Sequence, residues 1–371
     1  MEYIKEICID SFRGIENLCL SELSQINIIT GDNNCGKTSI LEVIDSFRQP
    51  DDIYAWNSLT RRDGIMGNRN GMTFYDGIYD LFNINHDKKR IKYSLKNENT
   101  VLELVADADE SLEEMSEKDY ADLIGMYIPK KNRAEFEGQI RIVTKMQFEV
   151  KLNKKDILHE IIYESQRYSS RIPLRKKKSN IHSQNIIYIS PIRHATGTVF
   201  LSDVLNSPEL YEEMLTILKE YDENIISINY DNDNEYTLGQ GGYKILSKSH
   251  KKALPLNVYG DGMKKAILLM SAVIRAKDGV LLLDEFETAI HTSAMEKTFK
   301  WILQTCKRLN VQVFMTSHSI EAISKVLKCC PDMKNDIRMT TLVDTQEGIK
   351  ILTVNATKAI QLMDDYGLEL R

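Results

Sequence analysis

The sequence predicts an α/β protein with a mixed sheet flanked by helices and an α+β lobe inserted after the first helix. Gln25–Thr30 is a buried-type strand, and a glycine-bounded loop joins it to a helix at Ser39–Phe47. Two further apolar strands, Val280–Leu283 and Val311–Met315, each end in polar residues. The stretch from about 50 to 185 lacks this alternation of strand and helix, so we expect it to form the inserted lobe.

The remaining elements follow from local patterns. Strands are predicted at 3–9, 15–20, 91–95, 101–105, 140–152, 161–163 and 186–190, and hairpins at 225–246 and 337–354. Helices are predicted at 110–126, 210–221, 263–277 and 357–366. The expected domain organisation is therefore residues 1–50 and 186–371 as the two parts of the main domain, with residues 51–185 as the inserted lobe.

Composition argues against two classes of protein. The 371 residues carry a net charge of −6, so nucleic acid contact would need local basic patches rather than a global field. No run approaches the roughly 20 apolar residues that span a bilayer, and no signal-peptide core is present, so no membrane partner is expected. The six cysteines lack zinc-like spacing. Free thiols and a cytoplasmic location are expected.

The loop Gly31–Thr38 reads GDNNCGKT and matches the phosphate-binding pattern G-x-x-x-x-G-K-[ST]. Its glycines allow backbone N–H groups to approach phosphate oxygens, and the next helix points its positive end at the same anion. Lys37 adds a full charge, and Thr38 offers a hydroxyl to Mg²⁺. The alternative is a chance match, but the preceding strand and following helix are the context the motif requires. The candidate ATP-binding residues here are Gly31, Asn33, Asn34, Gly36, Lys37, Thr38 and Ser39.

Two neighbouring strand ends supply the candidate catalytic groups. Val280–Leu283 is followed by Asp284 and Glu285, which predicts a carboxylate that holds Mg²⁺ and another that polarises the attacking water. The strand Val311–Met315 leads to His318, a candidate contact for the γ-phosphate. The alternatives are solvated acids that cap a strand and a structural histidine. Lys37, Glu285 and His318 are therefore the predicted catalytic residues.

Together these motifs resemble the ATPase domain of OLD-family proteins, relatives of the SMC, RecF and ABC-transporter ATPases. The resemblance rests on Phe12-Arg13-Gly14, the phosphate loop, Tyr259–Lys264, Leu283–His291 and Thr316–Ser319, and it extends over nearly the whole chain. It implies an ABC-type P-loop fold that works as an ATP-dependent homodimer or higher oligomer. It also implies that Gly260, Gly262 and Lys264 reach a partner's ATP across the dimer and that Arg13 approaches the nucleotide.

The resemblance also implies a division of labour. OLD nucleases carry a Toprim domain, whereas 53 residues follow His318 here, too few to hold one. We therefore expect a separately encoded nuclease or effector that this ATPase regulates in anti-phage defence. A RecF-like DNA-repair ATPase and a non-catalytic ATP-held scaffold stay open as alternatives.

DNA is a candidate partner through three basic runs. These are Lys88–Arg90, Lys130–Arg133 and Arg171–Lys178, which could bind phosphates or be ordinary solvated loops.

Overall fold

The computed structural model describes residues 2–60, 73–124, 138–164, 183–191, 199–231, 242–289, 292–345 and 348–366. The strands are β1 Glu6–Phe12, β2 Ile15–Leu20, β3 Ile26–Gly31, β4 Lys89–Lys96, β5 Val101–Ser116, β6 Ile140–Leu152, β7 Lys155–Tyr163, β8 Ile186–Ile189, β9 Ile225–Asp231, β10 Gly242–Ser247, β11 Leu254–Pro255, β12 Val280–Leu283, β13 Gln312–Thr316, β14 Ile337–Thr345 and β15 Gly348–Asn355. The helices are α1 Lys37–Ser46, α2 Ile53–Thr60, α3 Phe74–Tyr79, α4 Glu117–Leu123, α5 Leu201–Leu205, α6 Pro208–Leu218, α7 Asp261–Arg275, α8 Thr292–Arg308, α9 Ile320–Cys329 and α10 Ala356–Tyr366.

The chain forms two compact units, each with its own six-stranded sheet. Residues 22–38 and 185–371 form the first, which we call the parallel-sheet unit. Residues 2–21 and 39–184 form the second, the antiparallel-sheet unit. These divisions differ from the predicted boundaries at 50/51 and 185/186 because β1 pairs with β4 and so joins the sheet of the central region. As functional domains, the predicted boundaries stay a prediction.

The main sheet of the parallel-sheet unit has the strand order β15-β14-β3-β13-β12-β8. All neighbours pair in parallel except β15, which runs antiparallel to β14 at the edge. Every residue of β3, β12 and β13 is buried, which is typical of parallel strands covered on both faces. A separate three-stranded sheet has the order β11-β10-β9. The predicted α/β class and both predicted hairpins are confirmed.

Helices of this unit bury apolar faces in one core. The longest run is in α7, where Ala266–Ile274 are all buried. Phe286 and Phe299 pack edge to face at 5.1 Å between ring centroids, which fixes the segment after β12 against α8. The segment that follows β12, where one of the polar motifs lies, is therefore held by close packing against α8.

The antiparallel-sheet unit has the strand order β2-β1-β4-β5-β6-β7, with all pairs antiparallel. In β6, Met146, Phe148 and Val150 are fully buried, and the residues between them are half-buried. This period of two places one face of the sheet in a core, where Phe148 contacts Trp56 at a centroid distance of 5.4 Å.

The predicted acidic helix at 110–126 is wrong for residues 110–116. These residues lie in β5 and continue its pairing with β6 as far as Ser116 opposite Ile140. Of the described residues in this range, Glu117–Leu123 are helical, and the Ser116 hydroxyl caps this helix by accepting a hydrogen bond from the Asp119 amide. Cross-strand pairing thus overrides the helix propensity of the glutamates.

The expectation of six free thiols is also wrong for two of them. Cys8 and Cys19 lie directly opposite each other on β1 and β2 and are joined by a disulfide bond. Cys35, Cys306, Cys329 and Cys330 are free and buried. Among the helices of the described residues, none is both long and apolar enough to cross a membrane.

Candidate functional site

The phosphate loop joins β3 to α1 through backbone conformations that glycine favours. Gly31 and Gly36 have φ angles of 140° and 89°, and Asn34 has φ of 66°. A Cβ atom at Gly31 would lie 2.2 Å from the Leu342 carbonyl oxygen of the neighbouring strand. The close packing of β3 against β14 therefore requires glycine at the start of the loop.

Lys37 is the first residue of α1, and its side chain folds back over the loop. Its ammonium donates to the carbonyl oxygens of Gly31 and Asp32 at 2.8 and 2.7 Å. The Cys35 thiol lies 3.7 Å from the same ammonium, and burial raises the pKa of this thiol. The lysine charge is thus held at the mouth of the loop, beside the N-terminus of a ten-residue helix.

Asp284 collects three hydroxyl donors at the end of β12. Thr38 and Thr316 donate to its Oδ1 at 3.2 and 2.6 Å, and Tyr188 donates to Oδ2 at 3.2 Å. The aspartate is 1% exposed, so these bonds compensate for the burial of its charge. The predicted pair Thr38 and Asp284 is therefore brought together.

The predicted Mg²⁺ site fits the chemistry of these side chains. A carboxylate oxygen and a hydroxyl oxygen lie 3.2 Å apart at the mouth of the phosphate loop. Mg²⁺ prefers such hard oxygen ligands, and one or two protein ligands suffice where phosphate oxygens complete the coordination. The Mg²⁺ assignment itself stays a prediction.

Glu285 lies next to this cluster in a left-handed backbone conformation, with φ of 50°. Its backbone N–H donates to the Thr316 hydroxyl at 2.8 Å. The glutamate side chain is half-buried, so it combines partial shielding with access to solvent. This environment suits the water-polarising role predicted for it.

His318 follows β13 and is tied to the segment after β12. Its backbone N–H donates to Glu287 Oε1 at 2.7 Å. Glu287 Oε2 is buried and has no hydrogen-bond partner among the described residues. One carboxylate oxygen of Glu287 therefore faces the backbone of His318.

The segment Gly260–Lys264, predicted to reach a partner's ATP, opens α7 with Gly260 as the N-cap residue. Lys264 pairs with Asp261 at 2.7 Å, and this bond lowers the pKa of the exposed Asp261 carboxyl. No described atom lies within 4 Å of a Cβ built at Gly260, and the nearest atom to one at Gly262 is 3.7 Å away. Both glycines also have φ outside the left-handed region, so nothing in the described part of the chain excludes a side chain here.

Arg13 is held inside the antiparallel-sheet unit. Its guanidinium lies 3.2 Å from Glu42 Oε2 and donates to the Leu59 carbonyl at 2.7 Å. Its predicted nucleotide role stays a prediction. Asn33 is exposed at the loop tip, and Ser39 is buried in the first turn of α1.

The basic runs are described only in part. Arg90 pairs with Asp107 at 2.6 Å, and Lys89 lies 4.2 Å from the ring centre of Tyr79. Lys130–Arg133 and Arg171–Lys178 lie outside the described residues, as do Ile290 and His291 of the segment Leu283–His291.

Sequence reasoning missed two residues of the Asp284 cluster, Tyr188 and Thr316. Thr316 belongs to a strand end that was identified, but a role for its hydroxyl depends on the register that sets Leu283 beside Met315. Tyr188 reaches the carboxylate because β8 pairs with β12. Both contacts could have been predicted only from the strand order, which places β13 and β8 on either side of β12.

The chain is similar to several known proteins. The family described as AAA domain, putative AbiEii toxin, Type IV TA system matches residues 26–324. A Helicobacter pylori protein named ATP/GTP phosphatase is 23% identical over 347 residues, which cover 88% of each chain. An uncharacterised Methanocaldococcus jannaschii protein, MJECL11, is 38% identical over 112 residues, 30% of this chain and 98% of its own.

Among solved structures, an Smc head bound to the C-winged helix domain of ScpA covers 96% of this chain and 99% of its own. Its TM-score is 0.49 at 12% identity. The family match spans most of the chain and includes β3, the phosphate loop, the Asp284 cluster and His318. The protein therefore belongs to this family of P-loop ATPase domains, described as AAA domain, putative AbiEii toxin, Type IV TA system.

Proposed function

We propose that the protein hydrolyses ATP, with Mg²⁺, at the phosphate loop. The observation that carries this proposal is the Asp284 carboxylate, which accepts a hydrogen bond from Thr38 of the loop and stands beside Glu285. A phosphate-binding loop alone could serve only for binding. An acidic pair at its mouth supports chemistry on the bound phosphates. The name of the Helicobacter pylori relative, ATP/GTP phosphatase, also supports this reaction.

The residues would divide the work as follows. Lys37 and the loop amides bind the phosphates, and Thr38 with Asp284 holds the metal ion. Glu285 accepts a proton from the attacking water, and His318 contacts the γ-phosphate from the next strand end. When bound, Mg²⁺ neutralises charge that develops on the phosphate oxygens.

We further propose that two copies of the chain share each ATP. The supporting observation is the N-terminus of α7, where the described residues leave room for side chains at Gly260 and Gly262 and both positions are glycine. A close approach by a second molecule explains glycine at these positions better than local strain does. Helix N-termini also attract anions, which is consistent with the γ-phosphate of a partner's ATP.

In the biological part of the proposal, this ATP cycle regulates a separately encoded nuclease or effector in anti-phage defence. The family description names a putative toxin of a type IV toxin–antitoxin system, which supports a role with a separate partner. The DNA-repair alternative would use the three basic runs, of which the structure describes Lys88–Arg90; there Lys89 and Arg90 contact Tyr79 and Asp107. Stimulation of ATP hydrolysis by DNA would favour this alternative, so the test below includes DNA.

The test compares the wild-type protein with Glu285→Gln, using ATP and GTP, with and without DNA. We expect wild-type turnover and a loss of about 10²–10⁴-fold in the variant, because a general base contributes on this scale. Light scattering should show that the Glu285→Gln protein becomes dimeric with ATP and Mg²⁺. The double variant that carries both Glu285→Gln and Gly262→Arg should stay monomeric under the same conditions. Hydrolysis that survives in Glu285→Gln would sink the catalytic assignment, and a monomer under saturating ATP would sink the shared site.

A further inference from the structure

The Thr316 hydroxyl is hydrogen-bonded to both acidic residues of the site, to the side chain of Asp284 and to the backbone of Glu285. This hydroxyl donates to Asp284 Oδ1 at 2.6 Å, which is shorter than the bonds from Thr38 and Tyr188. The same oxygen accepts the backbone N–H of Glu285 at 2.8 Å. A threonine hydroxyl has one proton to donate and lone pairs to accept, so both bonds form at once.

The strand register explains why one side chain can reach both residues. Leu283 lies beside Met315 in the parallel pairing of β12 with β13, so Thr316 follows at the level of Asp284. Its side chain is 1% exposed, which leaves water little access to replace either bond. The hydroxyl is thus a fixed part of the site.

The hydrogen bond from the Glu285 backbone N–H to Thr316 holds a backbone conformation that is unfavourable for glutamate. Glutamate at φ of 50° is in the left-handed region, where a side chain crowds the following carbonyl. Such a conformation persists only where surrounding contacts hold it. The conformation sets the direction in which the Glu285 side chain leaves the strand end, so a contact that holds it also aims the carboxylate.

We propose that Thr316 is a positioning residue for hydrolysis, which fixes the Asp284 carboxylate and aims Glu285 through one hydroxyl. The inference rests on the proposed function, because it assigns the metal ion to Asp284 and the water to Glu285. In that assignment Thr38 turns to the metal ion. Thr316 and Tyr188 are then two donors that hold the carboxylate in place.

A purely structural role is the competing explanation, since Thr316 also fills a buried position. Valine has nearly the shape of threonine and lacks the hydroxyl, whereas serine keeps the hydroxyl and loses a methyl group. The two substitutions therefore separate orientation from packing. Thr340 is a matched control, because it is a buried strand threonine whose hydroxyl bonds to Thr353 rather than to a carboxylate.

The experiment measures kcat and KM for ATP, the affinity for a fluorescent ATP analogue at several Mg²⁺ concentrations, and the melting temperature. For Thr316→Val we expect kcat to fall about 10–100-fold, the scale of a hydrogen bond to a charged group. More Mg²⁺ should be needed for tight nucleotide binding, while KM and metal-free affinity change less than about twofold. Thr316→Ser should restore most of kcat, and Thr340→Val should keep wild-type kcat.

The outcomes also separate this inference from the proposed function. A folded Thr316→Val protein with wild-type kcat and Mg²⁺ dependence overturns the inference, as does a Thr316→Ser protein that loses as much as the valine variant. If the wild-type protein shows no turnover, the proposed hydrolysis fails. The Mg²⁺ dependence of analogue binding then still decides whether Thr316 positions Asp284.

Discussion

The two six-stranded sheets of this protein place their polar side chains in opposite ways. In the parallel sheet, several buried polar residues gather where the strands end; Thr30, Asp284, Thr316 and Ser317 are 0–1% exposed. Parallel strands present their carboxyl ends at the same edge, so groups from distant parts of the chain meet there. A reactive site can be built at that edge without disturbing the core.

In the antiparallel sheet, polar residues are spread along the strands instead of gathered at their ends. Charged residues form cross-strand ion pairs such as Arg90 with Asp107 and Lys145 with Glu113, while alternate positions are apolar and buried. Partly exposed pairs of this kind stabilise a protein only weakly. The comparison predicts that one chemical change will have very different consequences in the two sheets.

The largest expected effect comes from changing one carboxylate in each sheet to an amide. Asp284→Asn removes the charge at the centre of three hydroxyl donors, so ATP hydrolysis should fall by about 10²–10³-fold, as when one preorganised electrostatic group is lost. Asp107→Asn should keep wild-type turnover. It should change the free energy of unfolding by less than about 1 kcal/mol. Steady-state hydrolysis and denaturant unfolding of both variants measure the contrast.

A result in which both variants lose turnover equally would break this comparison. It would mean that the antiparallel sheet takes part in the chemistry. If a folded Asp284→Asn protein hydrolyses ATP at the wild-type rate, the prediction that Asp284 holds the metal ion is wrong.

The second effect is steric and concerns glycines with left-handed backbones. Alanine at Gly31 or at Gly138, where φ is 140° and 100°, should cost about 1–2 kcal/mol from backbone strain alone. At Gly31 the new Cβ would also lie 2.2 Å from the Leu342 oxygen, whereas no described atom lies within 4 Å at Gly138. Gly31→Ala should therefore lower the melting temperature further and abolish nucleotide binding. Equal losses in the two variants would show that β3 and β14 adjust to each other.

Much of the parallel-sheet unit could be predicted from local sequence, because its strands are continuous apolar runs that end abruptly in polar residues. The phosphate loop, the Asp284–Glu285 pair and His318 are predicted as site residues in this way. The contacts of Tyr188 and Thr316 with Asp284 could not be, since they depend on the order β13-β12-β8. Nothing in a single strand specifies its neighbours.

The antiparallel sheet was harder to predict for a different reason. In the segment Glu110–Ser116, the glutamates and the spacing of Leu112 and Met115 favour a helix. The segment becomes a strand because β6 pairs with it residue by residue. Strand propensity depends on the neighbouring strand, so the period of a half-exposed strand is a weak signal.

The smallest expected effect tests whether exposed ion pairs behave alike in both units. In the parallel-sheet unit, Arg308 forms a two-pronged bond with Glu213 at 2.7 and 2.8 Å and holds the pKa of that carboxyl below its usual value of 4.5. A lowered pKa means that the stabilisation is present above pH 4.5 and is lost as the pH falls through the folded-state value. Arg308→Gln should therefore lower the free energy of unfolding by less than about 1 kcal/mol at pH 7, and the difference should vanish in acid.

Denaturant unfolding at several pH values measures this, with Arg90→Gln as the counterpart in the antiparallel-sheet unit. A change of hydrolysis in Arg308→Gln alone would show that the parallel-sheet unit transmits even surface changes to its strand ends.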